Sequence, residues 1–263
     1  MKREPSKRPG RARVVFLFDV DNTLLDNDRV IADLGKYLDR EVGARRARCY
    51  WTIFEQLRSR LGYADYLGAL QRYRGEYPHD LGLLAVSRFL IEYPFADRLF
   101  RHALEVIRRA RRRGTAVLLT DGDVVFQPRK VERSGLLQAV GGRALVYVHK
   151  ERELADVEYR YPSYHYVMVD DKLRILAAVK KTWGAHVTTV FVRQGHYALD
   201  RRDLAACAAA DVSIACIGDL LDRDLADFTP QAAAVGGFRV PPHQGRRGRA
   251  RTKQSWNPTR QAS

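Results

Sequence analysis

The sequence predicts an α/β fold, a three-layer, doubly wound parallel sheet with an inserted all-helical cap. Three observations point there. Six short apolar runs lack polar alternation, helix-like segments separate most of them, and one long interval keeps helical spacing with no strand in it.

The runs are VVFLF (14–18), TAVLL (115–119), ALVYV (144–148), YVMV (166–169), VTTVFV (187–192) and VSIACI (212–217). Continuous apolarity suits strands buried on both faces, as in a parallel sheet covered by helices. Leu99, Phe100, Ala103, Leu104, Ile107 and Ala110 keep the spacing of a helix whose last turn is the cationic RRARRR and whose stop is Gly114. Leu173, Leu176, Ala177 and Val179, closed by Gly184, form a second such segment. Strand, helix and strand in repetition make the sheet Rossmann-like.

Residues 29–94 break this alternation. Their apolar faces are helical: Leu34, Tyr37 and Leu38; Tyr50, Ile53, Phe54, Leu57 and Leu61; Tyr63, Tyr66, Leu67 and Leu70. The aromatic members read as packing. The expected organisation is therefore an α/β core over 14–26 and 95–238, a cap over 27–94, and basic tails over 1–13 and 239–263.

The tails account for most of the charge. Of the formal net +15, residues 1–13 carry +5 and residues 239–263 carry +7, which leaves +3 for residues 14–238. A nearly neutral folded part argues against a dedicated nucleic-acid platform, and the tails offer weak, sequence-independent contact with nucleic acid. No apolar run reaches the length of a membrane span, and MKREPSKRPGRAR has no apolar signal segment. Cys49, Cys207 and Cys216 lack CxxC or zinc-ligand spacing, which suits a reducing cytoplasm.

Chemistry gathers where the strands end. Asp19 and Asp21 follow the first strand, Thr120 and Asp121 the second, Lys150 the third, and Asp170 and Asp171 the fourth. Open parallel sheets bind ligands beyond the carboxyl ends of their strands, so these side chains are expected on one rim. Carboxylates crowded there repel one another unless a divalent cation such as Mg²⁺ neutralises them. A single Asp at a strand end is equally well explained as a helix N-cap; the set is not.

The set resembles the haloacid dehalogenase-like hydrolase superfamily. Its first motif, an apolar strand running into DxDx[TV], is matched by FLFDVDNTLL with Asp19, Asp21 and Thr23; VLLTDGD supplies the second motif at Thr120; and YVMVDDK supplies the fourth at Asp170 and Asp171. The insertion between motifs one and two is similar to the family's C1-type cap. The resemblance implies a Mg²⁺-dependent phosphatase acting on a small phosphorylated metabolite. In it Asp19 is the nucleophile and Asp21 the general acid and base. Thr120, Asp121, Gly122 and Lys150 contact the phosphoryl group, with backbone N–H groups near Gly122 contributing. Asp19, Asp21 (through its carbonyl), Asp170 and Asp171 hold the metal.

The motif-three lysine is read as Lys150, with Lys130 a surface residue of a helix in PRKVERSGL and Lys172 a partner to the nearby acids. Dehalogenases of the superfamily lack an acid at the position of Asp21, and sugar phosphomutases keep it, so phosphatase leads; the alternatives are a phosphomutase or a nucleic-acid-binding protein that uses its basic tails. Asp26 and Asp28 are assigned to the connection into the cap. Arg45, Arg46, Arg48, Arg58, Arg60, Arg72 and Arg74 of the cap are candidates for an anionic leaving group, each more simply a solvated surface charge.

Overall fold

A computed structural model describes residues 12–228. All six expected strands form: β1 (Ala12–Phe18), β2 (Thr115–Asp121), β3 (Ala144–Tyr147), β4 (Ser163–Asp170), β5 (Val187–Val192) and β6 (Val212–Ile214). They make one parallel sheet in the order β3-β2-β1-β4-β5-β6. From β1 the chain builds outward to β2 and β3, then returns to the other side of β1 for β4. Such a reversal opens a crevice at the strand ends. Phe18 pairs in register with Leu118 on one side and Val169 on the other, so the residues that follow emerge together at that crevice.

Alternate β1 residues enter different cores. Val14, Phe16 and Phe18 join a cluster with α5 (Ala103–Arg113), α6 (Phe126–Arg133) and α7 (Leu136–Ala139). Val15 and Leu17 join another with α8 (Leu154–Arg160) and α9 (Leu173–Trp183). A short α10 (Arg201–Ala206) precedes β6. This is the three-layer arrangement predicted from sequence.

Gly114 does end α5, its N–H donating to Ala110 O at 2.9 Å, but its backbone is extended (φ −173°) and not left-handed. Glycine is required there by proximity: a Cβ would lie 2.4 Å from the Val14 carbonyl oxygen. The sixth run is strand only to Ile214, because Cys216 and Asp219 turn it into a short helical segment over Ile217–Leu221.

Between β1 and α5 stand four helices: α1 (Asn27–Val42), α2 (Ala44–Leu61), α3 (Tyr66–Glu76) and α4 (Gly82–Glu92). Asp26 caps α1 by accepting from Arg29 N at 2.9 Å, and Asp65 caps α3 through Gly68 N at 2.7 Å. The first three helices bury most of the faces expected of them, Tyr63 lying instead in the bend between α2 and α3, and α4 adds Val86 and Leu90. The aromatic residues do pack. Phe54 lies 4.8 Å from Tyr66, Tyr66 4.9 Å from Phe126, and Phe95 5.7 Å from Phe126 by ring centroids, so one aromatic chain joins the inserted helices to α6. β1 begins at Ala12, two residues before its expected start; the remainder of both basic tails lies outside the described residues.

Toward the other end of β4, His165 is buried with Nε2 2.9 Å from Thr188 Oγ1. Burial pushes its pKa down to about 4. The unfolded chain therefore takes up a proton that the folded chain refuses, and stability falls as pH drops from about 6.5 toward 4. His165→Gln is expected to remove roughly 2 kcal/mol of that acid-side loss, read as a flatter dependence of Tm on pH over this range.

Candidate active site

Asp19 leaves β1 with its N–H donating to Val169 O at 2.9 Å, which fixes the start of the turn against β4. Its side chain is 2% exposed and held from both sides. Thr23 Oγ1 donates to Oδ2 at 3.1 Å, and the Lys150 ammonium donates to Oδ1. Lys150, fully buried in a short turn after β3, also pairs with Asp170 Oδ2 at 2.7 Å, and its backbone N–H donates to Asp121 Oδ1 at 2.7 Å. Burial works to lower the lysine's pKa, but Asp170, Asp19 and Asp121 outweigh it and hold the ammonium charged. Lys150, read from sequence as the motif-three lysine, is the lysine that meets Asp19 and Asp170.

Asp19, Asp170 and Asp171 bring carboxylate oxygens within 4.8 Å of one another, all buried. Both oxygens of Asp171 lack a hydrogen-bond partner. Burial, despite the opposing pull of Lys172, keeps the Asp171 carboxyl well above the usual range, and Asp19 and Asp170 add to the rise. Burial likewise pushes Asp170 up to about 6 against the pull of Lys150. Crowded, orphaned carboxylate oxygens fit a hard divalent cation, and Mg²⁺ takes such ligands. The Asp21 side chain is not part of this cluster.

Two expectations need correction. Lys130 is not a surface residue: it is 0% exposed. Gln127, Lys130, Val131 and Ser134 lie on one buried face of the α6 segment, and there the Lys130 ammonium meets an acid. It donates to Asp21 Oδ1 and Oδ2 at 2.7 and 2.8 Å and to Asn27 Oδ1 at 2.9 Å. Gly122 does not offer its own N–H to a phosphoryl group, because that N–H donates to Tyr147 O at 2.9 Å and extends the β2–β3 pairing. Its φ of 159°, and the 2.7 Å that would separate a Cβ from Gln127 Cβ, give it a conformational and steric role.

Thr120 is buried beside the centre and its hydroxyl accepts from Gln127 Nε2 at 2.8 Å, which directs the hydroxyl proton elsewhere. The half-buried Lys172 ammonium lies 4.7 Å from the Tyr197 ring centroid, and its backbone N–H donates to Asp170 Oδ1 at 2.8 Å. Asp28, on α1, joins Asn22 and His196: it accepts from Asn22 Nδ2 at 3.0 Å and His196 N at 2.9 Å.

A cavity of about 620 Å³ opens over this rim between the inserted helices and the sheet. Asp21, Asn27 and Asp121 line one side, and Phe54, Arg58 and Tyr66 another. Of the seven cap arginines singled out in the sequence, Arg58 lines this cavity, whereas Arg46 pairs with Asp80 at 3.1 Å. Sequence reasoning missed Gln127, Asn27 and His196. The polar face of α6 was the available signal for Gln127 alone.

No curated protein matches the chain. Among solved structures, a haloacid dehalogenase-like hydrolase from Burkholderia xenovorans LB400 is 60% identical with a TM-score of 0.77, covering 80% of this chain and 98% of its own. The hydrolase YfnB from Bacillus subtilis, bound to magnesium, is 17% identical with a TM-score of 0.54 over 81% and 98% of the two chains. An L-2-haloacid dehalogenase from Xanthobacter autotrophicus is 18% identical with a TM-score of 0.51 over 78% and 96%. These last two share the fold. Among the described residues no helix is long and apolar enough to cross a membrane. The sequence profile of the haloacid dehalogenase-like hydrolases matches residues 14–182, and with the six-stranded parallel sheet and the acids at its crevice it shows that the chain belongs to that hydrolase family.

Proposed function

We propose that the protein is a phosphatase that hydrolyses a small phosphorylated metabolite through an aspartyl-phosphate on Asp19. The observation that carries this reading is Asp21, a second carboxylate on the cavity wall two residues from the nucleophile. A halide departs without a proton, so dehalogenation needs no acid at the leaving group. An alkoxide leaving group needs one.

In the first step a carboxylate oxygen of Asp19 bonds to phosphorus, the ester P–O bond breaks, and the departing oxygen takes a proton from Asp21. In the second, Asp21 takes a proton from water as that water attacks the phosphoryl group, releasing inorganic phosphate and restoring Asp19. Lys150 and Thr23 hold the Asp19 carboxylate between them, and the Thr120 hydroxyl, which accepts from Gln127 and makes only a long 3.5 Å bond to Asp121 O, can turn its proton to a phosphoryl oxygen. Mg²⁺ held by Asp19, Asp170, Asp171 and the Asp21 carbonyl would supply positive charge opposite the phosphoryl oxygens. The magnesium in the Bacillus subtilis structure supports this choice of ion.

Helices α1–α4 act as a cap that excludes water, and a cavity of about 620 Å³ suits a metabolite. The test is turnover of a panel of phosphomonoesters and of a 2-haloalkanoic acid, each with Mg²⁺ or with EDTA. Phosphate release with Mg²⁺, lost in EDTA, is expected. Halide release without phosphatase activity would overturn the reading.

A further inference from the structure

We propose that Lys130 is a positioning residue that fixes the Asp21 carboxylate for proton transfer to and from the cavity, an inference that rests on the phosphatase reading above. Asp21 lies in a turn beyond β1, its backbone bridged to Leu25 and next to Asn22 with φ +60°, a backbone arrangement that leaves its side-chain rotamer unset. Without a partner, such a carboxylate samples several rotamers, and a proton donor that is misaligned loses most of its effect.

The Lys130 ammonium supplies the missing constraint. Its hydrogens are spent on the two Asp21 oxygens and on Asn27 Oδ1, all within 2.9 Å, which uses the full donor capacity of a lysine. It is wholly buried, while the Asp21 side chain it holds is 25% exposed. The lysine therefore faces the back of the carboxylate and the cavity the front. With no donor left and no exposed surface, Lys130 acts on substrate through Asp21. The Phe126 ring, with its centroid 5.1 Å from Nζ, packs beside the ammonium. Asn27 opens α1, so the same grip joins the acid to the root of the cap.

Leaving-group dependence separates this role from simple scaffolding. An activated aryl phosphate departs with little help from an acid, whereas an alkyl phosphate needs the proton. Lys130→Met and Lys130→Gln are each expected to lower kcat/KM, which reports leaving-group departure and not the hydrolysis step both substrates share, by roughly 100-fold on an alkyl phosphate and by less than about tenfold on an aryl phosphate. The ratio of the two rates in one preparation does not depend on how much of it is folded. Asp21→Asn is expected to show the same skew, and Lys130→Met placed on top of it to add no further skew. Equal losses on both substrates, or a further skew in the double variant, would overturn the role of Lys130. A wild-type protein inert toward both phosphates, or an Asp19→Asn variant that keeps its activity, would remove the phosphatase reading and this inference with it.

Discussion

Asp19→Asn is expected to lower phosphatase turnover by on the order of 10⁴-fold or more, because the amide has no nucleophilic oxygen to offer and the displacement cannot be divided. The variant should stay folded. Asn is nearly isosteric, it can still accept from Thr23, and it takes one charge out of a cluster in which Asp19 raises the pKa of both Asp170 and Asp171. Against this, Lys150 loses one of its two carboxylate partners and keeps Asp170. A steady-state assay with Mg²⁺ beside a thermal melt reads both effects. After acid quench, the wild type should carry one phosphoryl group on the peptide containing Asp19, and the variant none. Retained turnover in a folded variant would end the covalent mechanism.

The contrast between Asp19 and Lys130 shows what was legible in the sequence. Asp19, Thr120, Lys150, Asp170 and Asp171 each lie at or just beyond the end of an apolar strand, and a parallel sheet carries strand ends to a shared edge whatever the details of packing. The strands themselves were equally clear, and β5 spans the same residues as its apolar run. β4 was under-read at its start because Ser163 and His165 are polar, and its first residue is defined by pairing with Ala12. Lys130 gave no such signal. On a helix, a lysine is ordinarily solvent-facing, and its burial depends on an acid 109 positions away. The role of Gly122 was misread for a related reason: whether an N–H is free depends on the neighbouring strand, and β3 claims this one.

Lys150→Met is expected to be the most destabilising of the site substitutions, by about 3–5 kcal/mol in metal-free protein, because it removes the cation from buried carboxylates while leaving them in place. For a chain of this size that lowers Tm by roughly 10 °C. The deficit should depend on pH with a definite sign. Lys150 itself, its pKa raised in the folded protein, stays charged throughout the neutral range, and its contribution is lost only as pH rises above the ordinary lysine value. Asp170 and Asp171 are already raised, chiefly by burial, and losing the ammonium raises them further. Acids with raised folded pKa values bind protons preferentially in the folded state, so the variant gains stability relative to wild type as pH falls from 8 toward 5. Mg²⁺ at neutral pH should recover part of the same loss by neutralising the same oxygens, without restoring turnover, since the charge Lys150 places beside the Asp19 carboxylate is still missing. A melting temperature that is insensitive to the substitution at pH 8 would show that Lys150 is not what balances these carboxylates.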